Sequence, residues 1–306
     1  MKQAPFRGAA PALITPFTAD NQVDEAALRR VIDFQINGGD SGFRGIDALV
    51  VLGTTGENPT VTPEERQQIV ELAIEHVAGR IPVIVGTGTN NTAQSVDFSK
   101  QAADAGADAL LVVGPYYNKP TPDGLVGHVS AIADATDCPI VLYNVPGRTG
   151  SNLTAETQLR VAEEIPSVVA TKEASGDLNQ ISDIIAHRPE GFAVYSGDDD
   201  LTLPMLALGV DGLISVCANA IPGATSELVR RGLAGDYEGA RALHYELLDA
   251  MRASFYESNP GPIKAVMAEM GLIEPHVRLP LAPVAEATRA RVLEAYAPHI
   301  GALARA

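Results

Sequence analysis

Val168-Val169-Ala170-Thr171-Lys172-Glu173-Ala174-Ser175-Gly176-Asp177 reads as a buried strand handing over to a helix. Residues 168–171 are small or β-branched, as expected of a short strand covered on both faces. Ser175, Gly176 and Asp177 then supply turn and N-cap chemistry for the helix that follows. Lys172 is thereby delivered to the end of a buried strand. Burial favours the neutral amine, and a neutral amine attacks a ketone. Taken alone, a strand-end lysine more commonly keeps its ammonium in water, so other residues must decide between the two readings.

The same strand-then-helix unit recurs on both sides of this stretch. The spacing predicts strands at 9–16, 48–52, 81–85, 109–113, 140–145, 168–172, 193–196 and 213–216. Helices are expected at 24–37, from 62 onward, and at 92–105, 125–135, 154–165, 178–187, 201–208 and 225–234. Asp24 is a plausible cap, and Thr62 caps a helix with Pro63 at its first position and Glu64 and Glu65 in its first turn. Consecutive units of this kind imply a (β/α)8 TIM barrel over residues 1–235; a doubly wound open sheet rarely needs so many right-handed units in a row. Beyond residue 235 the strands stop. Residues 237–255, 263–270 and 284–304 read as helices, so 236–306 is expected to be a C-terminal helical region packed on the barrel.

Composition agrees with one large α/β unit. The 306 residues are 46% hydrophobic and 20% charged, with no Trp and only 5% aromatics, so the core must be Val, Leu, Ile and Ala. The start, Met1 to Phe6, lacks the apolar run of a signal peptide, and no window suits a transmembrane helix. Cys138 and Cys217 are far apart beside strand-like runs and read as reduced core residues of a cytoplasmic protein. A net charge of −16 argues against nucleic acid and anionic membranes as partners. An anionic substrate would then need local cations, which screening over about 8 Å permits. Such a surface also fits a salt-adapted host.

In a barrel, chemistry collects where strands end. Those ends carry Thr54 and Thr55, Tyr116 and Tyr117, Tyr143 and Arg148, Lys172, and Gly197 and Asp198. Gly53-Thr54-Thr55-Gly56-Glu57 offers two hydroxyls and backbone amides suited to a carboxylate, though an ordinary turn reads the same way. In Tyr143-Asn144-Val145-Pro146-Gly147-Arg148-Thr149-Gly150 a tyrosine ends a strand and a Pro-Gly turn returns an arginine over the same mouth. Tyrosine shuttles protons and arginine holds carboxylates bidentately; the plainer reading is a core tyrosine with a solvated arginine. Gly86-Thr87-Gly88 is not a dinucleotide fingerprint, because Asn91 stands where its last glycine belongs. The aspartates of Gly197-Asp198-Asp199-Asp200 are read as helix caps, and the histidines show no metal-ligand spacing.

Taken in order, these motifs resemble one family. With Gly53 to Glu57 go Pro115-Tyr116-Tyr117-Asn118, the Tyr143 to Gly150 run and Thr171-Lys172-Glu173-Ala174. Ser196-Gly197-Asp198-Asp199, Ile214-Ser215-Val216 and Asn259-Pro260-Gly261-Pro262-Ile263-Lys264 follow. The chain resembles the 4-hydroxy-tetrahydrodipicolinate (dihydrodipicolinate) synthases of the N-acetylneuraminate lyase superfamily, from about residue 6 to 264. The Pro-Gly-Arg-Thr after Tyr143 points to the synthases rather than to their sugar-acid siblings. Residues 38–47 depart from the pattern by their length, in a loop expected to lie away from the mouth.

The resemblance implies a Schiff base between Lys172 and pyruvate, formed without metal or organic cofactor, whose enamine attacks L-aspartate 4-semialdehyde. It assigns Thr54, Tyr143 and Tyr117 to a proton relay, with Tyr117 reaching in from a neighbouring subunit of a homotetramer built from tight dimers. Thr55, with Thr54, would hold the pyruvate carboxylate, and Arg148 the carboxylate of the semialdehyde. Gly197 and Ile214 would line the pocket through their backbones. It also raises feedback inhibition by lysine near Tyr116. Here Gln94 replaces a glutamate, while Pro63 and Arg66 stand where histidines often occur, so weak or absent inhibition is expected. Two rival readings remain. A sibling aldolase acting on a 2-keto-3-deoxy sugar acid or N-acetylneuraminate has less use for Arg148. A catalytically dead paralogue would have lost Lys172, Tyr143 or Tyr117.

Overall fold

The computed structural model describes residues 3–39 and 41–300. Its strands are β1 Gly8–Pro11, β2 Leu49–Val51, β3 Val83–Gly86, β4 Ala109–Val113, β5 Ile140–Asn144, β6 Val168–Glu173, β7 Ala193–Ser196 and β8 Gly212–Ser215. The helices are α1 Glu25–Asn37, α2 Pro63–Val77, α3 Thr92–Asp104, α4 Pro122–Ala133, α5 Pro146–Thr149, α6 Ala155–Glu164, α7 Leu178–His187, α8 Thr202–Leu208, α9 Pro222–Leu233, α10 Tyr237–Ala253, α11 Gly261–Glu269 and α12 Glu286–Tyr296. All strand pairs are parallel, in the order β1-β8-β7-β6-β5-β4-β3-β2. A parallel bridge between Ala12 and Val50 brings β1 against β2 and nearly closes the barrel.

The strands alternate between two cores. Ala10, Ala12, Ala48, Val50, Ile84 and Val141 fill the barrel interior, while Leu49, Val51, Val83, Val85, Ile140 and Leu142 face the helices. Small residues inside suit a barrel whose interior is packed rather than open. Its amino end is closed by Phe6 stacked on Tyr195 at 4.3 Å, with the Tyr195 hydroxyl donating to the Phe6 carbonyl at 2.7 Å.

The helix starts follow from local chemistry. Asp24 accepts from Ala27 N, Asp177 from Asn179 and Gln180 N, and Thr62 forms a reciprocal capping box with Glu65. The first strand ends at Pro11 rather than at 16, because residues 12–16 leave the sheet to bridge towards β2 and the loop below. The Pro-Gly-Arg-Thr segment is not a bare turn but the short helix α5. The last helix ends at Tyr296, and residues 301–304 of the expected helix lie outside the described residues.

The loop between α1 and β2, of which Asp40 lies outside the described residues, sits at the amino end of the barrel. There the Asp47 carboxylate accepts from Ala9 N at the start of β1, and Arg230 of α9 donates to Arg44 O. Among the described residues, no helix is long and apolar enough to cross a membrane.

One irregularity sets the site. Ile140 pairs with Val168 but Val141 pairs with Ala170, so Val169 is an extra residue in β6. Val169 and Ala170 therefore both face the barrel interior. Beyond them the register is Tyr143 against Lys172 and Asn144 against Glu173.

Candidate active site

At the carboxyl ends of the strands lies a pocket. The structure brings Thr54, Thr55, Tyr143, Arg148, Lys172 and Gly197 together around it. Lys172 points inward because it follows the extra residue of β6. It is 5% exposed, with Nζ 4.5 Å from the centre of the Tyr143 ring. Desolvation pulls its amine down to about 8; Asp198 and Asp199 oppose that shift and Arg148 adds to it. Burial likewise pushes the Tyr143 phenol up to about 12, partly offset by the Arg148 guanidinium and the Thr54 side chain. Glycine is required at 197, since a Cβ there would lie 2.6 Å from Ala174 Cβ and 3.0 Å from Lys172 Cε.

The outward partners lock this geometry. Glu173 is fully buried behind the pocket wall and accepts from Gln158 at 2.7 Å, Ser175 N at 2.8 Å, Asn144 at 3.0 Å and Gln180 at 3.1 Å. Asn144 and Glu173 are thus clamped side by side, which fixes the two preceding residues, Tyr143 and Lys172, on the inner face.

Lys264 is a second amine lowered by burial to about 8, with Glu57 opposing. It does not line the pocket. Lys264 donates to the Glu57 carboxylate and, at 2.8 Å, to His276 O, and lies 4.4 Å over the Phe17 ring. The other Glu57 oxygen accepts from Arg278 N at 2.9 Å. Glu57 takes a left-handed φ of 54°, so this pair pins the strained end of the Thr54–Gly56 turn to the C-terminal region. Lys264 has its own buried carboxylate to hold, whereas Lys172 lines the pocket.

Two of the expected residues lie elsewhere. Tyr117 is 89% exposed, has φ 71°, and does not line this chain's pocket. Ile214 is buried within β8 in the barrel interior, and Val216 forms the pocket wall above it.

The aspartates following Gly197 are not helix caps. Asp199 instead accepts from Val216 N at 3.0 Å and Cys217 N at 3.1 Å, and from the Ser215 hydroxyl, holding the turn after β8. Asp198 lines the pocket, as do Phe255 and Asn259 from the C-terminal region. Asp198 was among the strand-end residues singled out, whereas the local reading missed Phe255 and Asn259. Asn259 stood in a quoted motif, but nothing in its spacing says that it reaches the mouth. Arg66, which stands where a histidine often occurs near the expected lysine site, is buried 4.1 Å from the Phe98 ring and donates to Gly86 O.

A pocket holding a buried low-pKa amine, a buried tyrosine, paired threonines and an arginine suits carbonyl chemistry on an anionic substrate through an imine. The chain is similar to known proteins over nearly its whole length. The sequence profile of the dihydrodipicolinate synthetase family matches residues 5–297. A 4-hydroxy-tetrahydrodipicolinate synthase of Salinibacter ruber is 61% identical over 95% of both chains. One from Koribacter versatilis is 50% identical over 98% of both. The crystal structure of a dihydrodipicolinate synthase from Thermotoga maritima superposes with a TM-score of 0.93 at 42% identity, covering 97% of this chain and 99% of that one.

Proposed function

Because the chain belongs to the dihydrodipicolinate synthetase family, we propose that its strand-end pocket carries the family's reaction with Lys172 as the covalent residue. The chain is an enzyme with 4-hydroxy-tetrahydrodipicolinate synthase function, a lyase of diaminopimelate and lysine biosynthesis. The names of its relatives imply pyruvate and L-aspartate 4-semialdehyde as substrates. The observation that carries the assignment to Lys172 is a buried amine, lowered to about 8, lining the pocket.

The neutral Lys172 Nζ adds to the ketone carbon of pyruvate, and the carbinolamine hydroxyl leaves as water to give an iminium. Thr55 and the amides of the Thr54–Gly56 turn hold the pyruvate carboxylate. The iminium accepts the electron pair released as the methyl C–H breaks, and Tyr143 takes that proton, with Thr54 and Tyr117 relaying it to solvent. The enamine then forms the C–C bond to the aldehyde carbon. Finally the amino group of the second substrate attacks the imine carbon, closes the ring and releases Lys172. One water leaves in the whole sequence, and no oxidant or reductant is consumed. A coupled assay with pyruvate plus aspartate 4-semialdehyde, beside pyruvate plus N-acetylmannosamine, tests the reading; turnover of only the sugar would overturn it in favour of a sibling aldolase.

Only the neutral amine reacts, so kcat/KM for pyruvate should rise with pH and level off above an inflection near pH 8, the value of the Lys172 amine. At pH 7 about a tenth of such an amine is neutral, against roughly one part in several thousand for an unperturbed lysine. A pH profile of kcat/KM measures this, and an inflection above pH 10 would contradict it.

Arg148 is exposed at the pocket edge and is assigned to the carboxylate of the second substrate. Arg148→Leu should raise the KM for aspartate 4-semialdehyde about ten- to a hundredfold, the loss of one charge-assisted contact, and leave borohydride trapping of pyruvate near normal. Equal damage to both would defeat this division of roles.

The exposed Tyr117 favours a homotetramer of tight dimers in which it completes a neighbour's relay. The chain is assigned to the cytoplasm, on its buried cysteines. Residues 1–235 are taken as the catalytic barrel and 236–306 as a helical region packed on it. Lysine should inhibit weakly or not at all. Gln94 is exposed and neutral where an acid would be needed to meet the ligand's ammonium, although Arg66 is buried against Phe98 and donates to Gly86 O. Half-inhibition at sub-millimolar lysine in the coupled assay would contradict this.

A further inference from the structure

The proposed reaction leaves two pocket oxygens without work. Asn259 is 4% exposed; its Nδ2 donates to the Thr55 hydroxyl at 2.9 Å, while its Oδ1 is buried with no partner. That orientation has a reason. A hydroxyl has one proton, and Thr55 can offer it to the pyruvate carboxylate only if it accepts from Asn259. The Asn259 carbonyl oxygen is then left as a buried acceptor on a residue that lines the pocket. A buried unsatisfied acceptor is costly unless a ligand satisfies it.

Asp198 is the second. Its backbone is fixed, with N–H donating to the Ser196 hydroxyl at 3.2 Å and its carbonyl accepting from the Ser196 and Thr202 hydroxyls at 2.9 Å each. Its carboxylate forms no hydrogen bond or ion pair among the described residues, yet lines the same pocket as Lys172. Burial pushes the Asp198 carboxyl up to about 6, and Lys172 is the cation that opposes this and favours its charged form. Once Lys172 has become a neutral enamine nitrogen, that positive charge is gone. The acidic wall is then uncompensated at the moment the second substrate must bind.

We propose that Asp198 and Asn259 Oδ1 bind the ammonium group of the second substrate, so that the pocket selects an α-amino aldehyde over an aldehyde acid lacking nitrogen. With Arg148 on the carboxylate, the pocket then offers one cation and two acceptors, the complement of a zwitterion. This rests on the reading of the reaction given above and names the group that sets its specificity.

The test compares aspartate 4-semialdehyde with succinic semialdehyde, which has the same aldehyde and carboxylate but no ammonium. Pyruvate consumption is the readout, because the second aldehyde cannot close a ring. Asp198→Asn and Asn259→Ala should each shrink the wild-type preference for the amino aldehyde about ten- to a hundredfold, the loss of one contact to a charged group. Any effect of Asp198 on Lys172 falls on both aldehydes and cancels in the ratio. An unchanged preference, or equal loss with both aldehydes, overturns the proposal. If Asn259→Ala does not fold, the near-isosteric Asp198→Asn decides. Failure of the family reaction itself would show in the wild-type arm, as no pyruvate adduct and no turnover. Failure of the ammonium assignment would show only in the variants.

Discussion

Lys172→Arg is expected to lower kcat/KM for the condensation about a thousandfold or more, because the covalent route is lost as a whole. A guanidinium stays protonated at any working pH and cannot add to a ketone. The variant keeps length and charge, so its pocket should remain filled and its fold intact, as circular dichroism and thermal unfolding would show. Borohydride added with pyruvate should leave a reduced adduct on Lys172 in the wild type and none in the variant, read by peptide mass. An adduct on Lys264 would overturn the assignment, and Lys264 is the discriminating rival, since burial lowers its amine to about 8 as well. Geometry separates the two. Of the two, only Lys172 lines the pocket at the strand ends.

The second large effect is on stability. Lys264→Met should destabilise the protein by about 3–5 kcal/mol, the usual cost of leaving a buried charge without its partner. Glu57 is fully buried and would retain only the Arg278 N–H as a donor to its carboxylate. In a chain of this length that corresponds to a fall in Tm of very roughly 5–15 °C. Glu57→Gln combined with Lys264→Met should recover much of the loss, since an amide does not require a cation. The measurement is thermal unfolding of both singles and the double. A single-variant loss below about 1 kcal/mol, the range of exposed ion pairs, would show that the pair is not the anchor described.

The barrel was legible because its signals are local. The β4 strand and the α7 helix fall where periodicity placed them, at 109–113 and 178–187, and caps such as Asp24 and Thr62 announce their own helices. So was most of the pocket, since in this fold strand ends converge. What escaped is what depends on contacts across the chain. Asn259 meets Thr55 across 204 residues, and no spacing rule joins them. Asp199 looked like a cap because aspartate before a helix usually is one, yet tertiary packing gave its carboxylate the amides beyond β8. Tyr117 is exposed and outside this chain's pocket, and the relay proposed for it needs a second chain that one sequence does not display.

The extra residue in β6 has a consequence for how this gene can change. Side chains along a strand take opposite faces in turn, so one added or lost residue exchanges them. Val169 and Ala170, however, share one face, so losing either would restore simple alternation and leave Thr171, Lys172 and Glu173 on the faces they now occupy. A codon gained beside them, without a second bulge, would instead turn Glu173 into the mouth and Lys172 among the helices. The strand therefore carries a spare residue: lineages that keep the activity should tolerate a loss at 169–170 far better than a gain.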